Sequence, residues 1–123
     1  MGLFTKKAEE KINWKPLNQE EQLTGFIESS RHKPIAMFKH STRCALSSMA
    51  MSRLERGWNL DDSDVDIYYL DLLNYRNISN KIATLFSIEH QSPQLIVLQG
   101  GKVLYHASHG EIDPDALKQN LLG

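Results

Sequence analysis

Phe38-Lys39-His40-Ser41-Thr42-Arg43-Cys44-Ala45-Leu46-Ser47-Ser48-Met49-Ala50 joins two different patterns. Before it, Pro34 to Phe38 is an apolar run that reads as a strand buried on both faces. After a short polar turn, a helical pattern starts on Cys44, the chain's one cysteine. The thiol therefore stands at a strand-to-helix junction, at the amino end of a helix. Unpaired N–H groups and the positive end of the dipole favour a thiolate there.

Working outward, the N-terminal side is simple. Residues 1–13 are charged and weakly patterned, a frayed tail or a short edge strand ending near Trp14, which packs on the core's edge. Asn18, with Glu21 three residues on, predicts a capped helix from about Gln19 to Ser30, with Leu23, Phe26 and Ile27 as its apolar stripe. His32-Lys33-Pro34 ends it. The helix that begins near Cys44 should stop at Gly57, a natural residue just past a helix end, and should turn Leu46, Met49, Ala50, Arg53 and Leu54 to one side.

On the C-terminal side, Val65 to Leu70 reads as a strand. Ile78, Ile82, Leu85 and Phe86 mark a third helix. Two strands, Gln94 to Leu98 and Val103 to Ala107, flank the hairpin turn Gln99-Gly100-Gly101-Lys102. Asp113 and Pro114 open a final helix as N-cap and first helical residue. The order helix, strand, helix, strand, helix, hairpin, helix calls for an α/β domain. Its mixed sheet of four to five strands has a parallel pair, right-handed crossovers and helices on both faces.

Composition narrows the function. A chain of 123 residues suits one domain. With 14 basic and 15 acidic residues it has no field to attract nucleic acid or anionic lipid. No apolar run nears the ~20 residues of a membrane span, and no apolar segment follows the N-terminal lysines as in a secretory signal. One cysteine excludes an internal disulfide and fits a reducing cytoplasm.

These residues carry a resemblance. A strand ends in a turn with a cysteine at a helix start, a second strand–helix unit follows, and Ser92-Pro93 stands directly before a glycine hairpin. Gly110 falls where the last strand hands over to the final helix. This layout resembles the thioredoxin fold over nearly the whole chain. Phe38 to Cys44, Ser47 and Ser92-Pro93-Gln94 are similar to the monothiol bacilliredoxins, the YtxJ-like proteins of the bacillithiol system. That family often has proline after the cysteine; this chain has Ala45.

The resemblance implies a one-thiol mechanism. Dithiol relatives carry a resolving cysteine where Ser47 stands and a buried carboxylate where Phe38 stands; this chain lacks both. Ser47, one turn along the helix, can donate a hydrogen bond to the Cys44 thiolate. A cis Ser92–Pro93 bond would present backbone groups of Ser92 and Gln94 to an extended substrate. Thr42, Arg43, Ala45, His109 and Gly110 would form the rim, with Arg43 able to meet a carboxylate on a small thiol.

The implied reaction removes a low-molecular-weight thiol, the co-substrate, from S-thiolated client proteins. The protein is expected to act as a cytoplasmic monomer with no bound cofactor or metal. His40 ends a strand, so it should not converge with Cys44 on a metal ion. Two alternatives stand beside this reading. One is a thioredoxin-like binding module whose cysteine does no chemistry. The other is a glutaredoxin-like iron–sulfur carrier, whose motif Cys-Gly-Phe-Ser differs from the Cys-Ala-Leu-Ser of residues 44–47.

Overall fold

A computed structural model describes residues 12–122, so most of the expected N-terminal tail lies outside the described residues. The elements are β1 (Lys15–Pro16), α1 (Glu21–Ser29), β2 (Ile35–His40), α2 (Ala45–Gly57), β3 (Asp66–Asp71), α3 (Arg76–Phe86), β4 (Gln94–Gln99), β5 (Lys102–Ser108) and α4 (Pro114–Leu122). A 3₁₀ turn, His109–Glu111, links β5 to α4. The five strands lie in the order β1-β3-β2-β4-β5. The β1–β3 and β3–β2 pairs are parallel; β2–β4 and β4–β5 are antiparallel.

Alternation along β2 divides the core in two. Ala36 and Phe38 pack with Ala50 and Leu54 of α2, Leu117 of α4, and Leu95 and Val97. Ile35 and Met37 pack with Leu23 and Phe26 of α1, Ile78 and Ile82 of α3, and Ile96 and Leu98. Trp14 lies over the sheet edge, its ring 5.6 Å from Phe38 and 5.9 Å from Tyr69. No helix among the described residues is long and apolar enough to cross a membrane.

Three local expectations need correction. Asn18 does not cap α1 with its side chain. Gln22 reaches back instead, its Oε1 accepting the Asn18 and Gln19 N–H groups, both at 2.9 Å. Gly57 is the last residue of α2, and the chain leaves through an extended Trp58 rather than a left-handed cap. Glycine is needed there because a Cβ would come within 2.6 Å of Pro114 Cγ. Finally, Leu46 and Met49 face solvent, 60% and 57% exposed, while Ser47, Ala50 and Leu54 form the buried stripe.

The hairpin turn does require its glycines, with φ of +65° at Gly100 and +83° at Gly101. Ser30 fastens this turn to the end of α1. Its Oγ donates to Ile27 O and accepts the Gly101 N–H, both at 2.9 Å. Ser30→Ala strands that N–H and should destabilise the domain by about 1–2 kcal/mol in urea unfolding, with no change in slope.

Candidate functional site

β2 and β3 run parallel and β4 runs opposite, so one edge of the sheet gathers the turn after β2, the start of α3 and the loop before β4. β5 ends at the same edge. Cys44, Ser92–Pro93, and His109–Gly110 are brought together there by topology.

Cys44 occupies the N-cap of α2 with extended backbone, φ −111° and ψ 119°. Its N–H donates to Ser41 O at 3.1 Å, closing the turn, and its carbonyl accepts the Ser48 N–H at 3.1 Å. The Cys44 side chain makes no capping hydrogen bond to α2. The N–H groups of the helix's first turn are therefore open to an anion. The thiol residue is half-buried, while Thr42, Arg43 and Ala45 around it are exposed.

Ser47 does something other than expected. Its fully buried hydroxyl lies 2.6 Å from His40 Nδ1 and accepts the Ser41 N–H at 3.1 Å. Among the described residues its partners are His40 and Ser41, not the thiol. Ser47 thus ties the first turn of α2 to β2 and to the turn that carries Cys44. His40 is itself 4% exposed, stacked on Phe38 at 5.7 Å and tilted against Tyr69. Burial lowers its pKa, opposed by Asp71, by the Ser47 contact and by Glu55, so the ring is held toward its neutral form.

The facing wall is built from β4 and β5. The Ser92–Pro93 bond is cis. Pro93 O accepts the His109 N–H at 3.1 Å. His109 is left-handed, φ +54°, a conformation uncommon outside glycine. Arg53 holds it: Nη2 donates to His109 O at 2.8 Å and Nε to Ile112 O at 3.0 Å. The expected rim residues His109 and Gly110 are exposed beside the proline. Gln94 is only 1% exposed, paired between Lys39 and Ser108. Its side chain donates to Glu89 O and accepts from Gln91 N, so it braces the loop behind the wall.

Sequence reasoning gave His40 only a negative metal reading and Arg53 only a place on the helix stripe, and it missed a second group on the opposite face of β2. Lys39 is completely buried, with Nζ 3.2 Å from His90 Nδ1. Ser79 Oγ approaches the same nitrogen at 3.0 Å, and Arg76 Nη1 lies 3.4 Å from His90 Nε2. The available signal was a polar pair, Lys39-His40, closing an otherwise apolar strand.

Burial, helped by Arg76, lowers the Lys39 pKa from 10.5 to about 8. The unfolded chain therefore binds the extra proton between those values. The neutral amine's contribution is full above pH 10.5 and is lost as pH falls through about 8. Lys39→Met should accordingly gain stability relative to the unsubstituted protein more at pH 7.5 than at pH 10. The gap should narrow by roughly 2 kcal/mol in denaturant titrations at the two pH values.

The family model Monothiol bacilliredoxin BrxC matches residues 15–117. The chain belongs to this family. Membership in the monothiol bacilliredoxins gives it a thiol redox role and thiol partners, in keeping with its one cysteine. Among solved structures, it is similar to a chain described as a candidate oxidoreductase with a thioredoxin fold. That match has 28% identity and a TM-score of 0.72, covering 85% of this chain and 90% of the other. A thioredoxin from Trypanosoma brucei brucei matches at 18% identity and a TM-score of 0.66, over 92% and 91% of the two chains. A thioredoxin from Malassezia sympodialis matches at 14% identity and a TM-score of 0.65, over 89% of each. The last two establish the fold alone. The thioredoxin-like α/β architecture and the bacilliredoxin resemblance read from Cys44, Ser47 and Ser92-Pro93 are thereby borne out.

Proposed function

We propose that the protein removes a low-molecular-weight thiol, bacillithiol or one of similar kind, from mixed disulfides on client proteins. The observation that carries this reading is a single half-buried thiol on an uncapped helix N-terminus, with serine rather than cysteine one turn along. The Cys44 thiolate attacks the small-thiol sulfur of the mixed disulfide. A Cys44–small-thiol disulfide forms, the client's S–S bond breaks, and the client leaves as a thiolate that takes up a proton. With no second cysteine, Cys44 cannot resolve the adduct internally. A second small thiol attacks the bound one, forming the small-molecule disulfide and restoring Cys44.

Thr42, Arg43 and Ala45 on one side, and Ser92, Pro93, His109 and Gly110 on the other, border the approach to the sulfur. A single cysteine with no disulfide partner in its own chain suits a reducing cytoplasm. Incubation with mixed disulfides of bacillithiol, glutathione and coenzyme A, followed by mass spectrometry of Cys44, should show one small-thiol adduct. A protein that accepts none of the three would contradict the reading.

A further inference from the structure

Lys39, Arg76 and His90 form a group of donors short of an acceptor. Neither Lys39 nor Arg76 has an acidic partner among the described residues; every ion pair there involves other side chains. Both cations are turned to one imidazole, Lys39 to its Nδ1 and Arg76 to its Nε2. A neutral imidazole has one lone pair and one N–H, while ammonium and guanidinium only donate. One of the two contacts is therefore donor against donor. Ser79 Oγ, 3.0 Å from the same Nδ1, donates to it or accepts from it according to the tautomer and supplies no negative charge.

A buried ammonium without a counter-charge is costly, and an entering anion relieves that cost. The group also lies at the start of α3, whose N-cap, Tyr75, provides no side-chain cap. Backbone N–H groups and the helix dipole add to the same positive pole. Arg76 is exposed and His90 half-buried, so the group is open from outside, with Lys39 as its floor.

The group lies at the end of the sheet that also carries Cys44, on the other face of β2. Lys39 precedes the Cys44 turn by two residues on β2 and is paired with Gln94. His90 lies in the loop that leads into Ser92–Pro93. We propose that Lys39, Arg76 and His90 form the subsite for a carboxylate of the small thiol that Cys44 exchanges. The proposal rests on the thiol-exchange reading and adds to it the charge the co-substrate must carry and where that charge is held.

The test uses glutathione disulfide and the same disulfide with its carboxylates esterified, with the rate of Cys44 adduct formation as readout. Arg76→Gln should slow reaction with the free acid about tenfold and leave the ester within twofold. Lys39→Met should show the same selectivity. Arg31→Gln, an equal charge change on a residue paired with Glu28 at the opposite end of the sheet, should slow neither. Equal slowing of acid and ester, or no slowing of either, overturns the subsite while the exchange reading stands. Absence of reaction between the unsubstituted protein and both glutathione disulfides overturns the subsite, and absence of reaction with the bacillithiol and coenzyme A disulfides as well overturns the exchange reading.

Discussion

Cys44→Ser should abolish small-thiol transfer, lowering the rate at least about a thousandfold to the uncatalysed background, because a serine hydroxyl is not ionised near neutral pH and does not exchange with disulfides. The same substitution should leave the fold intact and raise its stability slightly. Cys44 is at the N-cap of α2, and its side chain makes no capping hydrogen bond there. Serine is a preferred residue there, since its oxygen accepts an N–H from the first turn, a contribution of about 0.5–1 kcal/mol. Loss of activity with an unchanged or higher Tm separates the chemical role of the sulfur from any structural one. Residual transfer in the serine variant would mean that the exchange does not pass through Cys44.

Ser47→Ala should be the costliest single-atom deletion near the site. The Ser47 hydroxyl is fully buried and serves His40 Nδ1 and the Ser41 N–H together. Removing it leaves both groups without that partner in a place where water scarcely reaches. The expected loss is about 2–3 kcal/mol. Pairing it with His40→Phe removes the orphaned imidazole and extends the stack against Phe38 and Tyr69. The double variant should therefore be more stable than the sum of the two single changes, by about 1–2 kcal/mol in a double-mutant cycle. An additive cycle would show that the two side chains do not share the bond. Ser47→Ala should also slow exchange at Cys44, because Ser47 holds the Ser41 end of the turn whose carbonyl accepts the Cys44 N–H.

Much of the fold was legible because it depends on pattern. The apolar run into β2, the Gly100-Gly101 turn, and Asp113-Pro114 at the start of α4 each follow from local chemistry. Asp113 Oδ2 does accept the Ala116 N–H, at 3.0 Å. The site was legible in part: the position of Cys44 follows from the strand-to-helix junction, and Ser92–Pro93 is cis as the resemblance implied. What pattern could not give was the partners of buried polar groups. Ser47 looked free to face the thiol, but its partner is seven residues back on a strand, His40. Leu46 and Met49 looked like core because hydrophobicity was the cue, yet α2 turns a serine inward to meet that histidine. Lys39, His90, Arg76 and Ser79 come from three separate segments, and spacing alone cannot bring them together.

The most direct measurement follows one small thiol from a client to Cys44. A client protein carrying a single S-bacillithiolated cysteine is mixed with the reduced protein, and both intact masses are read over time. The account predicts that the client loses the mass of the small thiol as this chain gains it, at the same rate, with Cys44 as the modified residue. Release of the client without an adduct on Cys44, or a covalent client–protein conjugate as the persistent product, would contradict it.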